Sequence, residues 1–466
     1  MKRILLINPL TRNHEYFFKK KKAYKLPPIS LLQIGAYIKE KGYDVSILDG
    51  FISCDNKQDF LREIKKAKPE LIGMTCMSTN FLFASDLSRI IKKRFPEIIL
   101  VIGGSHITYS PKDIKETRFD YGIIGDGEDT FLDLLTILSI KKDVNDLPGL
   151  VIKKGNKITT TSGIVYNQDL DKYPVPDYSL LTSLEDYPTS IINSKDSKSL
   201  TIITSRGCPF RCIYCTYSKN NRPYVTNSAN YVIEEIKTYT KKHGVKNFSF
   251  GDDNFMHDKE RVKEICKKII ENKLDISWSC QARANTIDKE LLDLMKKAGC
   301  WQISFGIETG DKEILKIIKK GTTNDIIIKA INLTHKAGIR TKGFFIIGLP
   351  GDTKESIRRT INFAKSLPLD IAIFFLLSIN KGTTLYDMFE SYGKNEYLED
   401  AFIKQSDNIF VPKGLTKKYL IKQQKRAFIK FYLRPGYIIR QLLRIRSFRE
   451  LMFTTRSVGK ILFRTD

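Results

Sequence analysis

Three of the chain's eight cysteines fall within eight residues, in the segment Ser205-Arg206-Gly207-Cys208-Pro209-Phe210-Arg211-Cys212-Ile213-Tyr214-Cys215. Thiolates spaced C-x3-C-x2-C on one loop can converge on one metal centre. Soft sulfur ligands favour iron–sulfur binding over hard cations. Zinc wants a fourth Cys or His at a fitting spacing, and the next such residue along the chain is His243. Three protein ligands would leave one iron of a four-iron cluster open to a small chelating ligand. A structural zinc site, or a chance grouping of buried thiols, is the competing reading. The remaining cysteines, Cys54, Cys76, Cys266, Cys280 and Cys300, are scattered singly, which does not suggest a disulfide framework.

The elements around this loop repeat one theme. From residue 1 to about 140, short apolar runs alternate with helical periodicity and end in Gly-bearing turns: Gly103-Gly104 after one strand, Gly125-Asp126-Gly127-Glu128 after another. This predicts βαβ units on a parallel sheet, with ligands at the carboxyl ends of the strands. Residues 141–195 carry weaker signals, with Pro174 and Pro176 close together in Tyr173-Pro174-Val175-Pro176-Asp177-Tyr178, and read as a connecting segment. A second alternating series begins near Leu200 with the strand that leads into the cysteines. Further strands end at Asp252-Asp253-Asn254, before Arg283, at Glu308-Thr309-Gly310 and at Gly348-Leu349-Pro350-Gly351-Asp352-Thr353. Six such units over 196–385 predict a partial (β/α)6 TIM-type barrel with its chemistry at the strand ends. From about residue 386 helices are expected to take over. The fold class is thus α/β: a Rossmann-like parallel sheet domain, a partial barrel and a helical C-terminal region spanning 386–466.

The chain's 466 residues, 42% of them hydrophobic, suffice for more than one core and exclude global disorder. No stretch approaches the roughly 18 apolar residues of a membrane span. The N-terminal apolar run is too short for a signal peptide, so a cytoplasmic location is expected. Lys and Arg outnumber Asp and Glu by 78 to 52, and residues 401–466 hold sixteen basic against three acidic side chains. Basic and apolar residues alternate from Tyr437 onward. That pattern suits peripheral contact with an anionic membrane surface, or equally a solvated helix docked on the barrel. Nucleic acid ranks lower, because no dedicated motif accompanies the charge. The Lys19–Lys22 run reads as a solvated loop.

On the cysteine loop and the motifs that follow it, the chain resembles radical S-adenosylmethionine enzymes with an N-terminal cobalamin-binding domain. The barrel resemblance covers about 196–385. It implies that Cys208, Cys212 and Cys215 hold a [4Fe-4S] cluster whose open iron binds S-adenosyl-L-methionine for cleavage to a 5′-deoxyadenosyl radical. By the same resemblance Tyr214 sits against the adenine, Asp252 and Asp253 lie where the methionine ammonium binds, and Arg283 and Glu308 match positions contacting its carboxylate or the ribose. Asp352 replaces the usual Glu of a G-L-P-G-E-T turn and is assigned only a helix N-terminal role. Over 1–140, Asn8-Pro9, Pro27-Pro28, Asp49, Ser78, Gly103, Gly104, His106, Gly125 and Glu128 match the cobalamin module, with His106 a contact to the corrin periphery rather than to cobalt. An Asp-x-His-x-x-Gly segment is missing, so no imidazole ligates cobalt in that manner.

The activity this implies is C-methylation of an unactivated carbon, with methylated cobalamin as methyl donor to the substrate radical. The alternative is radical cyclisation or rearrangement of a tetrapyrrole or lipid without net methyl transfer. A further alternative is a non-catalytic iron–sulfur or nucleic-acid-binding protein. A small or lipid-like substrate and an external electron donor such as flavodoxin or ferredoxin complete the expectation.

Overall fold

The computed structural model describes residues 2–11, 26–187, 198–398 and 408–444, with side chains placed as far as Ile439. The Lys19–Lys22 run and most of the basic C-terminal stretch therefore lie outside the described residues. The chain divides into two units, Met1–Cys208 with Asn221–Asp252, and Pro209–Asn220 with Asp253–Asp466.

In the first unit β1 (Arg3–Asn8), β2 (Asp44–Asp49), β3 (Leu71–Thr75), β4 (Ile99–Gly103) and β5 (Tyr121–Ile123) run parallel. Strand β1 reads RILLIN and buries every residue after the first, as a strand covered on both faces must. Its alternate residues divide between two cores. Leu5 and Ile7 join Ile72, Leu100 and Ile102 under Phe60, Leu87 and Ile91 on one face. Ile4 and Leu6 join Leu71 and Val101 under Leu31, Ile38, Phe131 and Leu134 on the other. The strand order β2-β1-β3-β4-β5 reverses direction at β1, which opens a crevice at the carboxyl ends.

Two further strands, β6 (Leu150–Lys154) and β7 (Lys157–Thr160), extend this sheet antiparallel beyond β5. The first sheet thus runs past residue 140 into the expected connecting segment. Their Lys-rich, half-exposed sequences blur the alternation that would announce them. Later in this unit, β8 (Leu200–Ile202) comes before β9 (Ser205–Arg206) and β10 (Val225–Thr226), which pair antiparallel, and β11 (Asn247–Phe250) pairs parallel with β8.

The helix Ala229–His243 precedes β11, with Ser228 capping its first turn and Gly244 at positive φ closing it. Its Glu235 is 2% exposed, and burial pushes the carboxyl up to about 8. Geometry agrees. The single Tyr239 hydroxyl proton is claimed by the Pro176 carbonyl at 2.9 Å, so the 3.1 Å contact to Glu235 needs the carboxyl as donor. A carboxyl whose folded value is raised favours the fold below its ordinary value near 4.5 and loses that contribution as pH rises through about 8. Glu235→Gln, which donates at any pH, is expected to gain on the wild type by on the order of 4 kcal/mol across that window. Urea unfolding at a series of pH values checks this. Parallel pH profiles for the two chains would contradict it.

In the second unit β12 (Ser277–Ala282), β13 (Cys300–Glu308), β14 (Arg340–Ile347) and β15 (Ile371–Leu376) are parallel. With β8 and β11, all six strands of the second series are present, and the α/β class with its partial (β/α)6 barrel holds. The expectation of helices alone after 386 is corrected. The strands β16 (Gly393–Tyr397) and β17 (Asn408–Pro412) form an antiparallel pair before the helices Lys417–Tyr432 and Pro435–Arg444. Polar β16 carries no strand signal, whereas β17 buries Ile409, Phe410 and Val411 and donates from the Phe410 amide to the Leu377 carbonyl. The helix Lys417–Tyr432 covers β15, with Phe428 edge-on to Phe374 at 5.3 Å and the Tyr432 hydroxyl bonded to both backbone groups of Ala372. No described helix is long and apolar enough to cross a membrane.

Candidate active site

Of the three loop cysteines, Cys212 is buried and Cys208 and Cys215 are half-buried. The part of their loop that lies in the second unit is pinned at Ile213. Its amide donates to the Ile318 carbonyl, and its own carbonyl accepts from the Leu385 amide. Its side chain joins Ile314, Ile318, Leu349 and Leu377 in a core against which Tyr214 packs. A turn bond from the Cys215 amide to the Cys212 carbonyl sets the spacing of the two thiols. Among the described residues no three Cys, His, Asp or Glu side chains already converge as a metal-holding group. The donor set nonetheless fits an iron–sulfur cluster, being all thiol with no nitrogen or oxygen ligand built in.

Beside Cys212 stands Arg283, at the carboxyl end of β12. Its Nη1 is 3.5 Å from the Cys212 sulfur and its guanidinium lies 3.6 Å over the Phe210 ring. Its Nη2 donates to the Lys320 carbonyl. Nε is buried with no hydrogen-bond partner in the protein, an orphaned donor that suits a carboxylate ligand. Glu308 ends β13 at φ 67°, a left-handed conformation rare for a residue with a side chain. Its carboxylate receives the Lys320 ammonium at 2.6 Å, with both side chains buried. Burial pushes the Tyr214 phenol up, and the nearby Glu308 carboxylate adds to that. Tyr214, Arg283 and Glu308 are thus brought together around the Cys212–Cys215 turn. Lys320, which touches both anchors, carried no sequence signal, since its role follows from contacts alone.

The acidic pair after β11 divides. Asp252 is fully buried and accepts from the Thr204 amide at 2.9 Å and the Ser205 hydroxyl at 2.5 Å. These bonds fix the turn that leads to the cysteines. Asp253 is exposed and accepts from the Tyr217 hydroxyl at 2.7 Å, so it remains open to a cation. Asp352 accepts from the Gly348 and Leu349 amides and the Ser356 hydroxyl, closing the turn rather than leading the helix, and burial raises it to about 6.

At the carboxyl end of the first sheet, a Cβ on Gly104 (φ 100°) would stand 2.6 Å from the Cys76 carbonyl oxygen, and one on Gly125 (φ 96°) 2.0 Å from that of Val165. These two glycines serve close backbone approach within the protein. A Cβ on Gly103 would meet only ordinary contact, with the Ile123 side chain at 3.8 Å. His106 is held by Ser78 at 3.1 Å and Asp113 at 3.2 Å, with its ring stacked on Phe81 at 4.1 Å. Glu128 accepts from both terminal nitrogens of Arg206. His106, Ser78 and Glu128 thus each make a polar contact within the protein. What remains for a ligand is Gly103 and the exposed apolar side chains of Met77 and Leu82, which follow β3, and Ile164.

The comparisons agree with this division. The Radical SAM superfamily matches residues 202–364, and the B12 binding domain family matches 20–135. An uncharacterized methyltransferase of Pyrococcus horikoshii is 31% identical over 96% of both chains. An anaerobic magnesium-protoporphyrin IX monomethyl ester cyclase of Rubrivivax gelatinosus is 27% identical over 88% of this chain and 75% of its own. The radical S-adenosylmethionine methyltransferase TsrM of Kitasatospora setae superposes with a TM-score of 0.73 at 18% identity, over 93% of this chain and 89% of that one. The thiol loop, the anchors around it and the sheet ahead of it all lead to one assignment: the chain is an enzyme of the radical S-adenosylmethionine superfamily, in the branch that adds a B12-binding domain and works with a [4Fe-4S] cluster, S-adenosylmethionine and cobalamin.

Proposed function

We propose that this enzyme transfers a methyl group to an unactivated carbon of a small or lipid-like substrate. The observation that carries the reading is the joining, in one chain, of an all-thiol loop with a B12-binding module. It is supported by the relative named as a methyltransferase that matches nearly end to end. Cys208, Cys212 and Cys215 would hold the cluster, and Arg283, through its free Nε, would receive the carboxylate of S-adenosylmethionine. Glu308 would contact the ribose, Tyr214 would lie along the adenine, and Asp253 would take the ammonium. Gly103 and the Met77, Leu82 and Ile164 side chains would border the corrin. Bound together, these cofactors supply a carbon-centred radical and a transferable methyl group, while the protein positions them and keeps water out.

An external electron donor of the flavodoxin or ferredoxin kind would reduce the cluster. The basic C-terminal region would give peripheral contact with an anionic membrane, and the protein would work in the cytoplasm. Radical cyclisation is the second reading, favoured by the similarity to the magnesium-protoporphyrin cyclase. Anaerobic turnover with reductant and S-adenosylmethionine separates the two. Methyl transfer forms S-adenosylhomocysteine and 5′-deoxyadenosine together, with one methyl added to product. Accumulation of 5′-deoxyadenosine alone alongside converted substrate would overturn methyl transfer in favour of cyclisation.

A further inference from the structure

We infer that the Asp126–Glu128 turn of the B12-binding domain is a clamp on the cysteine loop. It holds both stems of the loop, through Arg206 and Arg222, in the register that receives the cluster. The stems are β9 and β10, paired Arg206 to Val225 and Ser205 to Thr226. Arg206 lies two residues before Cys208 and makes a fork onto Glu128, at 3.1 Å to Oε2 and 2.5 Å to Oε1. It also reaches Asp126 at 3.3 Å. Arg222, just ahead of β10, reaches the same Asp126 oxygen at 2.5 Å and lies over the Tyr166 ring at 5.1 Å.

The acceptors are almost wholly buried, Asp126 at 6% exposure and Glu128 at 4%. Asn167 occupies further acceptor sites, its amide on Asp126 at 2.9 Å and its side chain on Glu128 at 3.2 Å. The turn itself is set by the Gly125 conformation and by the Asp126 amide donating to the Val165 carbonyl. Two cations meet two anions, so the network is charge-balanced. Buried ion pairs add little stability over apolar residues of the same volume, and their best-attested use is to fix register. Here the register fixed is that of the two strands from which the loop springs. Each arginine is a positioning residue, not a ligand. The clamp also makes a residue of one module govern a cofactor of the other.

This inference rests on the cluster reading of the three cysteines, and its test keeps the two apart. The full-length chain is prepared anaerobically as wild type, Glu128→Gln, Asp126→Asn and Arg206→Lys. Iron and corrin are measured in each sample after reconstitution, and amide exchange across residues 207–224 is measured before iron is added. In Glu128→Gln and Asp126→Asn, exchange is expected to quicken about tenfold and retained iron to fall at least about threefold, with corrin uptake unchanged. Arg206→Lys keeps the charge but loses the fork and should fall between them and the wild type. Unchanged exchange and unchanged iron would overturn the clamp. Loss of corrin with iron retained would overturn it too, by making Glu128 a cofactor contact. A wild type that takes up no iron would refute the cluster reading alone, and the exchange measurement would still decide the clamp.

Discussion

Cys212→Ala, prepared without oxygen and reconstituted with iron and sulfide, is expected to lose its cluster and with it reductive cleavage of S-adenosylmethionine, by at least about a thousandfold. Cys212 is the most buried of the three loop cysteines and the one whose sulfur faces the Arg283 guanidinium. Cys208→Ala and Cys215→Ala should behave alike, because two thiolates do not retain a four-iron cluster against loss. The control is Cys54→Ala. Burial pushes the Cys54 thiol up to about 12, with Asp59 and Glu63 adding to it, so it is a neutral core group rather than a ligand. Iron content and cleavage should survive that change. Full cleavage by any of the three loop variants would contradict the ligand assignment.

Lys320→Met is expected to destabilise the second unit by about 3–5 kcal/mol. The ammonium and the Glu308 carboxylate lie 2.6 Å apart with side chains 7% and 10% exposed, so removing one leaves a buried charge unanswered. The site is built around this pair. A Cβ on Gly306 would stand 2.6 Å from the Glu308 oxygen and 3.0 Å from the Lys320 nitrogen, so a side chain there would press on the pair. Lys320→Met with Glu308→Gln removes both charges and should recover most of the loss. Chemical unfolding of the single and double variants measures it. A loss below about 1 kcal/mol in the single variant would mean that the pair is effectively solvated.

Much of this was legible from short-range pattern. The cysteine spacing is local, and the strands end where apolar runs meet polar or Gly-bearing turns, as β4 does at Gly103, β11 before Asp252 and β14 before Gly348. What the sequence hides is pairing across distance. Asp252 looked available for a cation because its partners Thr204 and Ser205 lie 48 and 47 residues away. Glu128 was rightly placed at a strand end, yet Arg206, 78 residues on, takes its carboxylate. His106 meets Ser78 and Asp113, 28 and 7 residues away, and stacks on Phe81, none of which its own segment announces. Strands β6 and β7 gave only weak signals and β16 none, because their exposed faces are too polar to alternate cleanly, and antiparallel pairing needs no buried run on both faces. Lys320 and Arg222 carry no local signature of any kind. They are ordinary basic residues in a chain with 78 of them, and only the fold selects them.

The most direct measurement is elemental and cofactor analysis of anaerobically purified wild-type protein, with its visible spectrum and an assay for 5′-deoxyadenosine. The prediction is about four iron and four sulfide per chain, a corrin in the same sample, and 5′-deoxyadenosine released when reductant and S-adenosylmethionine are added. Zinc in place of iron, or a metal-free chain that leaves S-adenosylmethionine intact, would contradict it.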